Sequence, residues 1–123
     1  MRLVIQGRLP GLNEYIEAER RNKYKAAGMK RDAETLVILS ARKWLRGWKA
    51  KGPVTMTYLW VEKDRRRDKD NISGYGRKII QDALVKAGYL RNDGWADIVR
   101  FTDDFAVDKG NPHIEVMIEE VNQ

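Results

Sequence analysis

Leu3, Val4 and Ile5 form a short apolar run that ends at Gln6-Gly7-Arg8, and the pattern predicts a first strand over residues 3–8. Pro10-Gly11-Leu12-Asn13 is turn chemistry, with Asn13 expected to cap the next element. Glu14, Glu17, Glu19, Arg20, Arg21, Lys23 and Lys25 make residues 14–27 strongly polar, which predicts an exposed helix ending near Gly28. Residues 32–48 carry a clearer stripe. Ala33, Val37, Ala41, Trp44 and Trp48 keep helical spacing, while Arg42, Lys43, Arg46 and Lys49 take other faces. Gly47 and Gly52-Pro53 stop this helix, and Trp44, Trp48 and Trp60 are expected in the core.

Val54-Thr55-Met56-Thr57-Tyr58-Leu59-Trp60-Val61 is rich in β-formers and predicts the central strand. Ile72, Tyr75, Ile79, Ile80, Ala83, Leu84 and Ala87 then recur at helical intervals up to Gly88. Asn92-Asp93-Gly94 reads as a tight turn. Residues 96–101 and 113–118 read as two closing strands, with a polar loop from Asp103 to Asn111 between them. The order β-α-α-β-α-β-β predicts an α/β fold: a single domain over residues 1–123, with helices packed on a mixed β-sheet.

Composition narrows the chemistry. A chain of 123 residues suits one domain. The absence of cysteine excludes disulfides, thiolate zinc sites and cysteine catalysis, and a single histidine, His113, excludes multi-histidine metal sites. No run of about 18 apolar residues suggests a membrane span, and residues 1–7 lack the apolar core of a signal peptide, so a cytoplasmic protein is expected. The net charge of +6 is unevenly placed. Residues 1–67 carry 17 Lys and Arg against 7 Asp and Glu, whereas residues 68–123 carry 7 against 11. The basic half suits a polyanion such as nucleic acid, and equally suits a solvated basic surface.

Acidic residues begin where Arg65-Arg66-Arg67 ends, at Asp68-Lys69-Asp70-Asn71. If this segment is extended, both carboxylates point the same way, and their hard oxygens suit magnesium or manganese. An EF-hand is excluded, because the sixth position is Ser73 and the twelfth Ile79. Asp93 would have to return toward the pair through Tyr89-Leu90-Arg91. The alternative is structural: Asp70 or Asn71 capping a helix, Asp68 paired with Arg67, Asp93 serving its turn. Lys78 shares a helix side with Asp82, either as an ordinary ion pair or as a cation beside a bound phosphate. Trp95, beside Asp93, is the one tryptophan placed to touch a ligand, and His113 reads as a strand-end residue.

Arg66-Arg67-Asp68-Lys69-Asp70-Asn71-Ile72, then Lys78 to Gly88 with Asp82-Ala83-Leu84, then Asn92-Asp93, resembles the RusA family of Holliday junction resolvases, often carried by phages and prophages. Leu9-Pro10-Gly11-Leu12-Asn13 is similar to the family's opening motif. The strong resemblance covers residues 65–93. It implies that Asp68, Asp70 and Asp93 are catalytic and hold magnesium, for which manganese substitutes, and that Lys78 is the catalytic lysine. Ser73-Gly74-Tyr75-Gly76 lengthens the stretch between Asp70 and Lys78 relative to the founding member, where the lysine would fall at position 74. The resemblance further implies a homodimer, four-way branched DNA as partner, paired symmetric nicks in recombination and repair, and no small-molecule cofactor. Arg65, Arg66, Arg67, Lys69 and Arg77 are the candidate DNA contacts. The rival readings are a non-catalytic basic nucleic-acid-binding module and a magnesium-dependent nuclease for other branched DNA.

Overall fold

The computed structural model describes residues 1–121. It contains β1 (Arg2–Gln6), α1 (Leu12–Arg21), α2 (Lys23–Leu45), β2 (Val54–Glu62), α3 (Lys69–Lys86), β3 (Ile98–Val107) and β4 (His113–Glu120). The expected β-α-α-β-α-β-β order and α/β class are both present. The four strands form one mixed sheet in the order β1-β4-β2-β3. β4 lies antiparallel to both β1 and β2, while β2 and β3 run parallel. Two parallel neighbours need a long crossover, and α3 supplies it.

Period-two patterning decides which face of the sheet is buried. Val54, Met56, Tyr58, Trp60 and Glu62 alternate onto the covered side of β2, as do Ile114, Val116 and Ile118 on β4. They meet Val37, Ala41 and Leu45 of α2 and Ile72, Ile79, Ile80, Ala83 and Leu84 of α3 in one core. On the other face Thr57 and Met117 are exposed. Helices therefore cover one side of the sheet and leave the other open.

Four expectations are corrected. The break between the first two helices falls at Asn22, not Gly28. The Asn22 side chain accepts hydrogen bonds from the backbone N–H groups of Tyr24 (2.8 Å) and Lys25 (3.4 Å), so α2 starts there. Gly28 is carried inside α2 because Ala26, Ala33, Val37, Ala41 and Leu45 hold one buried stripe through it. Asn13 does not cap α1; Gly11 does, with its N–H donating to Glu14 Oε1 at 3.3 Å. Trp44 is 38% exposed rather than core, because the buried stripe runs through Ala41 and Leu45 on the neighbouring side of α2. The polar loop shrinks to residues 108–112, because parallel pairing with the full length of β2 gives Asp103 to Val107 backbone partners.

α3 sits close to the sheet because Gly76 has no side chain. A Cβ there would lie 2.7 Å from the Trp60 ring. The Trp60 indole N–H in turn donates to Asp103 on β3 at 2.9 Å, so helix, central strand and edge strand meet at this point. Gly88, at φ +84°, ends α3 in the left-handed conformation that favours glycine.

Candidate functional site

The Asp-x-Asp pair lies at the start of α3, not on an extended segment. Asp68 is the N-cap residue and Asp70 is in the first turn. The structural alternative is not realised: Asp70 and Asn71 lie within the helix rather than at its cap, Asp68 at the N-cap makes no side-chain capping bond, and Arg67 pairs with Glu62 and Glu14 instead of Asp68. Both aspartates line a cleft of about 730 Å³, with Glu62, Asp64, Arg65, Arg67, Lys69 and the Phe105–Val107 end of β3.

The three neighbouring arginines have different roles. Arg67 is nearly buried. It grips Glu62 through two bonds, at 2.9 and 2.8 Å, and also reaches the Leu9 carbonyl at 3.0 Å and Glu14 at 3.3 Å. Its guanidinium is committed to joining the β2 end to the β1–α1 loop. Arg66 is 87% exposed at the side chain, with Asp64 at 3.6 Å. Arg65 is exposed and forms no ion pair among the described residues. Lys69 is exposed, its ammonium 5.5 Å from the centre of the Phe105 ring. Arg65, Arg66 and Lys69 are thus available to an incoming anion, while Arg67 positions the cleft wall. Arg77 is likewise committed: it pairs with Asp103 and stacks over Phe101 at 4.5 Å.

Asn71 joins two motifs that are far apart in sequence. Its Oδ1 accepts from the Asn13 backbone N–H at 2.7 Å, and a Cβ at Gly11 would strike its amide. The Pro10-Gly11-Leu12-Asn13 turn is therefore clamped on the first turn of α3, against Asn71 and Arg67.

Asp93 is placed elsewhere. It lines a second cleft with Gln81, Trp95, Ile98, Val99 and Phe101. Its nearest cation is Lys78, at 3.8 Å, and Lys78 is closer to Asp82, at 3.1 Å. Lys30 reaches Asp82 from α2 at 3.2 Å. Burial alone would push the Asp82 carboxyl up, but hydrogen bonds from Lys78 and Lys30 outweigh it and hold the group below the usual carboxylate range. The same Asp82 contact raises the Lys78 ammonium above its ordinary value. The Lys78–Asp82 ion pair is thus formed, with Asp93 at its margin.

The expected convergence of Asp68, Asp70 and Asp93 does not occur within one chain. Among the described residues no three His, Cys, Asp or Glu side chains group closely enough to hold a metal ion. Asp93 lies beside Lys78, eight residues and roughly 12 Å along α3 from Asp70, so the helix holds it away from the pair. Asp68 and Asp70 alone still fit magnesium, which commonly takes one or two carboxylates and completes its shell with water and phosphate oxygens.

Sequence reasoning missed Glu62, Asp103 and Phe105. Glu62 carried a signal: it occupies a core-facing position in the period-two pattern of β2, five residues before an arginine able to pair with it. Asp103 and Phe105 were hidden by ending the strand at Phe101. Trp95 is fully exposed beside Asp93, and His113 hydrogen-bonds the Asn111 carbonyl and Glu115 at the head of β4. No protein-family model matches the chain, and no curated protein matches it either. The RusA resemblance accordingly stands on the motif residues themselves.

Proposed function

We propose that the chain is a magnesium-dependent, structure-specific endodeoxyribonuclease that resolves four-way DNA junctions in recombination and repair. The observation that carries this reading is the cleft at the start of α3. Two carboxylates with no cation partner among the described residues stand there beside exposed Arg65, Arg66 and Lys69. Such a surface attracts a phosphodiester through its cations and repels it at its aspartates, and a divalent ion between aspartates and phosphate resolves the conflict. Asp68 and Asp70 would hold magnesium, which when bound polarises the scissile phosphate and activates water for in-line attack. Arg65, Arg66 and Lys69 orient the backbone through phosphate oxygens, and Arg67 keeps the cleft wall rigid through Glu62 and the Leu9 carbonyl. Exposed Lys23, Lys25, Arg31, Arg42 and Lys43 on α2 add further cations that phosphates would attract.

Incubating a labelled four-way junction with the protein and magnesium tests the reading. Wild type should nick symmetric strands, and Asp70→Asn should bind the junction without nicking. Normal cleavage by Asp70→Asn would remove Asp70 from the metal site. Binding should weaken steeply with salt, by about tenfold or more for a few-fold rise in concentration. The separation of Asp93 from the pair favours a second reading, a nucleic-acid-binding module without catalysis. Retention of the junction with no nicks in magnesium or manganese would select it. Flap and fork substrates, run alongside, separate junction resolution from action on other branched DNA.

A further inference from the structure

We propose that Trp95 and Phe101 form a stacking site for one unpaired nucleobase of a DNA strand. Trp95 is 100% exposed, whereas Trp60 is 1% exposed. An indole left wholly in water forgoes the burial that aromatic side chains usually supply. Its backbone, however, is pinned. The Gly94 carbonyl accepts from the N–H groups of Asp97 and Ile98 at 3.1 and 3.0 Å, and the Asp97 carbonyl accepts from the Val54 N–H at 2.9 Å. The turn thus presents the ring from a fixed place, which lowers the ordering cost of binding on it.

The adjoining strand opens the same cleft. Val54 pairs with Ile98 and Thr55 with Arg100, so Val99 is an extra, bulged residue at the start of β3. Val99 and Phe101 are 54% and 45% exposed and line, with Trp95, a cleft of about 320 Å³. The Arg77 guanidinium lies 4.5 Å from the centre of the Phe101 ring and is itself paired with Asp103, so this ring is held in place as well.

The lining selects a base over other occupants. A cleft of this size is at the small end of ligand sites and suits one planar ring system rather than a helix of a partner protein. Asp93 on its wall repels an anion, so a phosphate is not what the cleft takes. Gln81 donates through Nε2 to the Tyr58 hydroxyl at 3.1 Å, which leaves its Oε1 to accept. Asp93 and Gln81 therefore offer acceptors to the N–H donors of a base edge, and the aromatic rings offer their faces to its π surface. Arg100 is exposed at the rim, forms no ion pair among the described residues, and meets the adjoining phosphate. Trp95, Val99 and Phe101 all fall outside residues 65–93, so the motif resemblance does not imply this site. The inference rests on DNA as the ligand, which the nuclease and binding-module readings share.

Fluorescence anisotropy with a labelled single strand of about 12 nucleotides tests it. Trp95→Ala should raise the dissociation constant at least about fivefold, the loss expected for one stacked base, and Trp95→Phe should restore most of it. An abasic strand of equal length carries the phosphates without the bases, and wild type and Trp95→Ala should bind it equally. Tryptophan emission of wild type should be quenched by the base-bearing strand, and Trp95→Phe should lose most of that quenching. Thermal melts confirm that each variant folds. An unchanged affinity in Trp95→Ala, or an equal loss on the abasic strand, would overturn the proposal. The magnesium junction assay, run in parallel, separates the two readings. Junction nicking by wild type, with Trp95→Ala binding the single strand normally, refutes the base site alone. Base-dependent binding through Trp95 without nicks refutes the nuclease and leaves the base site standing.

Discussion

Replacement of Gly76 by alanine opposes a helix-propensity gain to a steric loss. In an exposed helix interior, alanine is better than glycine by up to about 1 kcal/mol. At position 76 the new Cβ would lie 2.7 Å from both Cη2 and Cζ3 of Trp60. Carbon atoms pack best at about 3.5–4.0 Å, so roughly 1 Å of overlap must be relieved. The indole cannot swing aside cheaply: it is 1% exposed, stacks on Tyr58 and donates to Asp103. Overpacking of this kind costs about 1–3 kcal/mol, which exceeds the propensity gain. We expect Gly76→Ala to lose about 1–2 kcal/mol and lower the urea midpoint by roughly 0.5–1 M. Gly74, two residues away on the same helix, has nothing within 4 Å of its ideal Cβ. Gly74→Ala should therefore stabilise by about 0.5–1 kcal/mol. Urea unfolding followed by circular dichroism measures both. A Gly76→Ala midpoint at or above that of wild type would refute the close approach of α3 to β2.

Arg67→Ala should destabilise by about 3 kcal/mol, because it strands the Glu62 carboxylate, 8% exposed at the side chain, without its partner; a loss below about 1 kcal/mol in the same assay would refute the buried pair. The His113 imidazole is raised above 6.5 by its bonds to the Asn111 carbonyl and the Glu115 carboxylate, so its contribution to stability is full below pH 6.5 and is lost as pH rises through the higher folded value. Thermal melts from about pH 6 to 8.5 should show this loss, and His113→Gln should flatten it. Lys78→Ala should change the melting temperature little, since its side chain is 58% exposed and Lys30 still reaches Asp82 at 3.2 Å; a loss of junction cleavage in the same variant would give Lys78 a role beyond its ion pair with Asp82.

Much of the architecture was legible because burial writes its period into the chain. Period two in Val54–Trp60 and helical spacing in Ile72–Leu84 each mark the side that faces a core, whatever lies opposite. The same local logic located Asp68-Lys69-Asp70-Asn71 between the central strand and the long helix. It failed where a local signal was outweighed. The polar residues Asp103 and Asp104 looked like loop until a full-length parallel partner and Arg77 were available to them. Gly28 looked like a terminus until a stripe running through it proved longer than either flank.

Periodicity reports only that a residue is buried or solvated; it carries no address for its partner. The chain alone thus determined its elements, their order and the acidic motif at the head of α3. Folding decided that β4 enters between β1 and β2, that Arg67 and Arg77 serve Glu62 and Asp103, and that Asp93 lies with Lys78, apart from Asp68 and Asp70. The physical reason is competition: each charged group takes the partner that long-range strand pairing and helix length bring within reach.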